Sequence, residues 1–216
     1  MNNRTILAQE IIDTCLTMTK LGLNQGTAGN VSARYQEGFL ITPTGIAYEQ
    51  LTPESIVYVD ADGHHESDKL PSSEWRFHQV VYQHRPDVAA VVHNHAVNCA
   101  AVSILNRDIP AIHYMIASAG GNTIPCVPYA TFGSKQLSQN IAQYVDKRKA
   151  LLLQHHGLLC YEVNLAKALW LANEIEVLAN LYLKLLSVTD DVPILDDEEI
   201  ATVLEKFTTY GLRIEE

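Results

Sequence analysis

The alternation of apolar and polar positions divides the chain into helices and short strands. From Ile6 to Leu21, the positions Leu7, Ile11, Cys15 and Met18 recur at helical spacing with Ala8 and Ile12 beside them, and Gly22 supplies a stop. Val31–Arg34 and Gly38–Thr42 read as a hairpin, and Ser55–Asp60 as a short strand closed by the turn Asp60-Ala61-Asp62-Gly63. Leu70-Pro71-Ser72-Ser73-Glu74 opens a helix reaching to near Arg85: serine favours the N-cap, an acidic residue suits the first turn, and Pro86 ends it. Ala89–Val97 is a β-branched apolar strand, and Cys99–Leu105 continues as a helix. Ala111–Ile116 reads as a strand that sends the neighbours His113 and Tyr114 to opposite faces. Ile124–Tyr129 reads as another strand, and Ser134–Val145 as an amphipathic helix. The apolar run Ala150–His155 has the mark of a central strand buried on both faces. Asn164 caps a long helix with Leu165, Ala168, Ala172, Ile175 and Ala179 on one stripe, and Asp196 or Asp197 caps a last helix ending near Tyr210-Gly211. Short returning strands interleaved with helices predict an α/β layered fold with a mixed, largely antiparallel sheet.

Composition narrows the class. The 216 residues are 47% apolar and 19% charged, enough for one good core, and there is no repeat, low-complexity stretch or linker, so one domain is expected over residues 1–216. No apolar run approaches the ~18–20 residues of a membrane helix, and Met1-Asn2-Asn3-Arg4 lacks a signal-peptide layout, so the expectation is a cytoplasmic chain with no membrane partner. A net charge of −10 without a basic cluster argues against nucleic acid, whose phosphates need a Lys/Arg footprint. Cys15, Cys99, Cys126 and Cys160 are scattered and form no C-x-x-C pair, which predicts reduced, mostly buried thiols.

Candidate chemistry gathers on histidines. In Val91-Val92-His93-Asn94-His95-Ala96-Val97 a strand puts both imidazoles on one face, roughly 6–7 Å apart at ~3.3 Å per residue, where both can turn onto one zinc ion. Alone, the pair fits a surface or core site equally well. Gln154-His155-His156-Gly157 at a strand end and Glu74 at a helix start add a third imidazole and a carboxylate, which makes a metal site the leading interpretation. Such a set saturates tetrahedral zinc, unless the carboxylate swings off and becomes a general base beside a Lewis acid. No lysine sits inside an apolar strand, where burial would suit it to Schiff-base chemistry. Three small-residue turns, at 29–30, 44–45 and 72–73, can form a phosphate cradle from backbone amides and a helix N-terminus; each can also be a plain turn or cap. His64-His65-Glu66 reads as a solvated loop. His155 falls on the strand face opposite His156, packed or supporting, and His78, His84 and His113 read as structural.

Gly26-Thr27-Ala28-Gly29-Asn30-Val31-Ser32, Ile41-Thr42-Pro43-Thr44-Gly45, Pro71-Ser72-Ser73-Glu74, His93-Asn94-His95 and Gln154-His155-His156-Gly157 occur in the order found in the class II aldolase/adducin family, which the chain resembles essentially end to end. The resemblance implies a three-layer α/β/α catalytic domain and a cyclic homotetramer with active sites between subunits. It also implies one Zn²⁺ per subunit and reversible cleavage of L-fuculose 1-phosphate to dihydroxyacetone phosphate and L-lactaldehyde through a zinc-stabilised enediolate. By position it implies His93, His95 and His156 as zinc ligands and Glu74 as a fourth ligand that doubles as acid/base. Gly29, Asn30, Thr44, Gly45, Ser72 and Ser73 become the phosphate site, and Tyr114 and Tyr210 come from a neighbouring subunit. The family alternatives are a sugar-phosphate 4-epimerase, where the position of Glu74 is typically aspartate, and a non-catalytic adducin-like interaction domain, which lacks the full metal set.

Overall fold

The strand segments meet in one sheet. In the computed structural model, which describes residues 3–66 and 68–209, the order is α1 (Asn3–Lys20), β1 (Asn30–Tyr35), β2 (Gly38–Ile41), β3 (Val57–Val59), α2 (Trp75–His84), β4 (Ala90–Asn94) and α3 (Val97–Ile104). Then come β5 (Cys126–Val127), α4 (Lys135–Ala142), β6 (Ala150–Leu153), β7 (Gly157–Glu162), α5 (Leu165–Leu186) and α6 (Asp197–Thr209). The seven strands lie in the order β3-β2-β1-β4-β7-β6-β5. Every pairing is antiparallel except β5 with β6, as the short returning strands predict.

Period-2 alternation builds two cores, one on each face. Ala90, Val92, Ala150, Leu152, Leu158 and Cys160 pack on one side with Ile11 and Cys15 of α1, Val102 of α3 and Ile175 of α5. Val91, Leu151, Leu153, Leu159 and Tyr161 pack on the other with Phe77 and Val81 of α2 and Leu137 and Ile141 of α4. Helices therefore cover both faces in three α/β/α layers, with β4 in the middle of the sheet. Asn164 accepts from the Lys167 amide at 2.8 Å and Asp196 from that of Glu199 at 2.8 Å, so both expected caps form. The four cysteines are free thiols. Among the described residues no helix is long and apolar enough to cross a membrane.

Several segments depart from expectation. Residues 111–116 form no strand. His113 caps a 3₁₀ helix, Tyr114–Ala119, by accepting from the Met115 amide, and Gly120 closes it at φ +85°. The His113 and Tyr114 rings therefore sit together, centroids 4.7 Å apart, and not on opposite faces. β5 shrinks to Cys126–Val127 because Pro125 and Pro128 flank it and lack N–H donors. Ser55 ends a short 3₁₀ turn in a capping box with Thr52, so β3 starts only at Val57. β6 is buried on both faces but stops at Leu153, second from the sheet edge. The chain then returns as β7, a strand that the run Leu158-Leu159-Cys160-Tyr161 could have disclosed.

Candidate metal and phosphate site

His93 lies on the face of β4 that α2 covers, paired across the sheet with Asn30 of β1. Its Nδ1–H donates to the Leu158 carbonyl at 2.9 Å, which leaves the Nε2 lone pair free to ligate. Strand geometry does not extend to His95. Asn94 Oδ1 accepts from the Ala96 amide at 3.1 Å and ends β4, and the His95 amide donates to Asn24 Oδ1 at 3.3 Å. Turned this way, His95 Nε2 still comes within 3.2 Å of His93 Nε2. His156 arrives from the β6–β7 turn, where a Cβ on Gly157 would strike the Asn94 carbonyl and the His95 ring. The three rings pack nearly perpendicular with centroids 4.7–5.0 Å apart.

Glu74 is the N-cap residue of α2, yet its carboxylate makes no capping bond. It turns to the histidines instead, with Oε2 3.2 Å from His93 Nε2 and Oε1 3.3 Å from His156 Nε2. The capping alternative for this side chain therefore fails, and its amide donates to Ser72 Oγ at 3.3 Å. Burial, reinforced by His93, pushes His95 down to about 4 and His156 down to about 3, so both stay neutral near pH 7. Burial alone would raise the Glu74 carboxyl, but His93, His156 and the Asn30 amide overcome it and hold the acid well below the usual carboxylate range. A buried anion thus faces converging imidazole nitrogens, and its Oε1 has no hydrogen-bond partner among the described residues. One ligating atom from each of His93, His95 and His156 lies within 4.8 Å of the others. Three imidazoles and a carboxylate oxygen suit a borderline divalent ion such as zinc.

A cavity of about 360 Å³ opens onto this cluster. All six residues expected at the phosphate (Gly29, Asn30, Thr44, Gly45, Ser72 and Ser73) line it together with Glu74, His95 and His156, and among the described residues no lysine or arginine does. Backbone bonds unite the turns: Thr44 N donates to Leu70 O at 3.1 Å and Ser72 N to Thr42 O at 2.9 Å. Gly29, at φ +73°, could not carry a Cβ, which would lie 2.6 Å from the His93 carbonyl. The glycine-rich turn is thereby held against the metal strand. Asn24 joins the two from the other side, donating from Nδ2 to the Ala28 carbonyl while accepting from His95.

Other expected residues fall elsewhere. Tyr114 is half exposed and lines a separate groove with Ile112, His113, Leu195, Val203 and Phe207, not the cavity that His95 and His156 line. Tyr210 lies outside the described residues. His155 is neither packed nor on a strand face: it takes φ +54° in the turn and lines the cavity with Tyr129 and Phe132. Parity could not place it, because β6 has already ended. His64 stays in an exposed loop with Asp60, as expected, and Glu66 is engaged by Arg4 at 2.7 Å. His78 is fully buried and, unlike a simple packing residue, hydrogen-bonds Asn30.

Comparison with known proteins matches residues 9–183 to the Class II Aldolase and Adducin N-terminal domain. The chain belongs to the class II aldolase and adducin family. It is 71% identical over 213 residues, 99% of each chain, to "L-fuculose phosphate aldolase" of Escherichia coli (strain K12). It is 54% identical, over 97% of this chain and 99% of the other, to "5-methylthioribulose-1-phosphate/5-deoxyribulose-1-phosphate aldolase" of Escherichia coli O45:K1 (strain S88 / ExPEC). A solved structure described as "L-fuculose 1-phosphate aldolase" superposes with a TM-score of 0.90 at 35% identity, covering 94% of this chain and 97% of that one. The class II aldolases are metal-dependent, and in this member the three histidines form a cluster able to hold a metal.

Proposed function

We propose that the protein is a zinc-dependent aldehyde-lyase of fucose and carbohydrate breakdown that reversibly cleaves L-fuculose 1-phosphate to dihydroxyacetone phosphate and L-lactaldehyde. The observation that carries this is Glu74, a buried carboxylate that makes no capping bond, aims at His93 and His156 of the histidine cluster and borders a cradle that no lysine or arginine among the described residues lines. The similarity to L-fuculose phosphate aldolase over nearly the whole chain supports the substrate. His93, His95 and His156 would hold one zinc ion per subunit, with Glu74 as fourth ligand. A zinc ion held there would supply Lewis-acid chemistry at the ketose carbonyl.

The chain's own residues do the rest. Gly29, Asn30, Thr44, Gly45, Ser72 and Ser73 bind the 1-phosphate through backbone amides, hydroxyls and the α2 N-terminus. That anchors the ketose with its carbonyl and C3 beside Glu74. In synthesis Glu74 takes a proton from C3 of dihydroxyacetone phosphate; in cleavage it returns that proton. The C4 hydroxyl proton must go to a second group, and Tyr114 and Tyr210 of a neighbouring subunit fill the role in a homotetramer whose active sites lie between subunits. Tyr114 lining a groove other than the cavity that His95 and His156 line supports supply from a neighbour. Residues 1–216 act as one cytoplasmic catalytic domain. The sugar-phosphate aldolases that the chain resembles support a small sugar phosphate as partner, the net charge of −10 argues against nucleic acid, and no membrane partner is proposed.

The test is a panel of ketose 1-phosphates, including L-fuculose and 5-deoxyribulose 1-phosphates, assayed with and without chelator. Cleavage of L-fuculose 1-phosphate should be preferred, abolished by chelation and restored by Zn²⁺. Full activity in chelator-washed, metal-free protein would overturn the metal assignment. Inversion at C4 without release of aldehyde would make the protein an epimerase.

A further inference from the structure

Behind Glu74, four polar side chains are buried in a row between α2 and β1 that ends at Asn30 beside the cavity. Tyr82 Oη lies 2.8 Å from Ser32 Oγ, and Ser32 Oγ lies 2.7 Å from His78 Nδ1. His78 Nε2 lies 2.5 Å from Asn30 Oδ1, and Asn30 Nδ2 donates to Glu74 Oε2 at 3.0 Å. We propose that this row is a one-way hydrogen-bond chain in which His78, acting through Asn30, is a positioning residue. It anchors Glu74 by Oε2 and leaves Oε1 as the oxygen that exchanges the substrate proton. The proton-exchange part rests on the aldolase reading; the direction of the chain does not.

The direction follows from donor and acceptor counting. An ionised carboxylate only accepts, so the Asn30 amide nitrogen faces Glu74 and its carbonyl oxygen faces His78. His78 Nε2 must therefore carry a proton. The ring is fully buried, and burial together with His93 pushes it down to about 3, so it is neutral and Nδ1 holds a lone pair. Ser32 must spend its one proton there, which obliges Tyr82 to donate to Ser32. Each link has one permitted sense, and every donor points toward Glu74. Chains of this kind polarise cooperatively in a low-dielectric interior.

Placement supports a role at Glu74 in particular. His78 and Tyr82 stand one turn apart on α2, the helix that begins at Glu74. Asn30 and Ser32 share one face of β1, and Asn30 pairs with His93. The chain thus ties the base to the strand beside the metal histidines. Four buried polar groups are a costly way to hold a helix on a sheet, a task that apolar side chains perform more cheaply. Asn30 donates to Glu74 Oε2, while Oε1, 3.3 Å from His156 Nε2, accepts no hydrogen bond among the described residues, an asymmetry that leaves Oε1 the less tethered oxygen.

The experiment has two arms. Long-range ¹H–¹⁵N NMR of the wild-type protein, with and without Zn²⁺, should show His78 as the neutral Nε2–H tautomer; an Nδ1–H tautomer or an imidazolium at pH 7 overturns the chain. Steady-state kinetics of His78→Phe, His78→Gln and Tyr82→Phe form the second arm. His78→Phe should lower kcat about 10–100-fold with little change in KM, as expected when a catalytic group is misplaced by a fraction of an ångström to 1 Å. Zinc affinity, read by competition with a chromogenic chelator, should stay within a few-fold. His78→Gln, which can still donate to Asn30, should recover part of the loss. Wild-type kcat in His78→Phe, or an equal fall in kcat for both His78 variants, overturns the positioning role. Should His78→Phe fail to fold, Tyr82→Phe, which keeps its ring against Phe39, decides by the same kcat-against-KM split. A wild-type protein that cleaves no ketose phosphate would refute the aldolase reading, and the tautomer would then decide the chain by itself.

Discussion

Glu74→Gln separates a structural carboxylate from a chemical one. The amide has the same shape, three imidazoles remain for the metal, and no helix cap is lost because the carboxylate makes none. What disappears is the group that moves the C3 proton. General acid–base catalysis is worth about 10²–10⁴-fold, which at 1.36 kcal/mol per tenfold is about 3–5 kcal/mol of barrier. The sharpest assay is exchange of the C3 proton of dihydroxyacetone phosphate with deuterated solvent in the absence of aldehyde, because it isolates that one step. Exchange should fall by two to four decades, on the order of the general-base contribution, while bound zinc, measured by elemental analysis, stays near one per subunit. Exchange at the wild-type rate with zinc in place would show that Glu74 is not the proton carrier.

Three further outcomes are expected. Ser72→Ala and Thr44→Ala should each raise KM by roughly 10–150-fold, the equivalent of a lost charge-assisted hydrogen bond of ~1.5–3 kcal/mol, and Ser72→Asp should be worse; unchanged inhibition by inorganic phosphate would move the anion site elsewhere. His78 is pushed down to about 3, below the ~6.5 of an unfolded histidine, so its neutral burial stabilises the fold above that range and is lost as pH falls from there toward 3. Thermal melts from pH 7 to 4 should therefore decline more steeply for wild type than for His78→Phe, and parallel curves would contradict this. Glu74→Gln and Tyr114→Phe proteins, each nearly inactive alone, should regain activity when unfolded and refolded together; verified mixed oligomers without recovery would place Tyr114 in the same subunit as Glu74 or outside the chemistry.

Local pattern and long-range register contributed unequally to what could be read from the chain. Val91, Leu151 and Leu159 alternate with Val92, Leu152 and Leu158 so regularly that two covered sheet faces follow from periodicity alone. The histidines were legible for a chemical reason: H-x-H alone is ambiguous, but a third histidine at a second strand end and Glu74 at a helix start complete a ligand set. Their geometry was not. His95 reaches the cluster because Asn94 breaks the strand and Asn24 holds the new backbone direction, the second a contact between residues 71 positions apart. The same limit hid His155, whose direction depends on where β6 stops. His113 and Tyr114 were misplaced because a 3₁₀ turn of small residues carries no period to recognise. The α2 partners of Asn30 and Ser32, His78 and Tyr82, lie 46–50 positions away, and nothing near them in sequence announces the link.

The three consecutive residues Ser72, Ser73 and Glu74 carry much of the proposed chemistry, and their adjacency has a mechanical consequence. The first two face the cavity where the phosphate is proposed to bind, and the third aims at the histidines. One short segment, pinned by the Ser72–Thr42 backbone bond at 2.9 Å and continuous with α2, therefore sets the distance from bound phosphate to base. A ketose 1-phosphate has a fixed span from its phosphate to C3, so holding both ends on one rigid segment converts anion binding into alignment of the proton. The reach of Glu74 completes that alignment: Glu74→Asp would withdraw the carboxylate from His93 and His156 by one methylene while leaving the cradle in place. Phosphate affinity and proton transfer are thus separable at residue 74 and coupled at residue 72, where displacing the segment moves both.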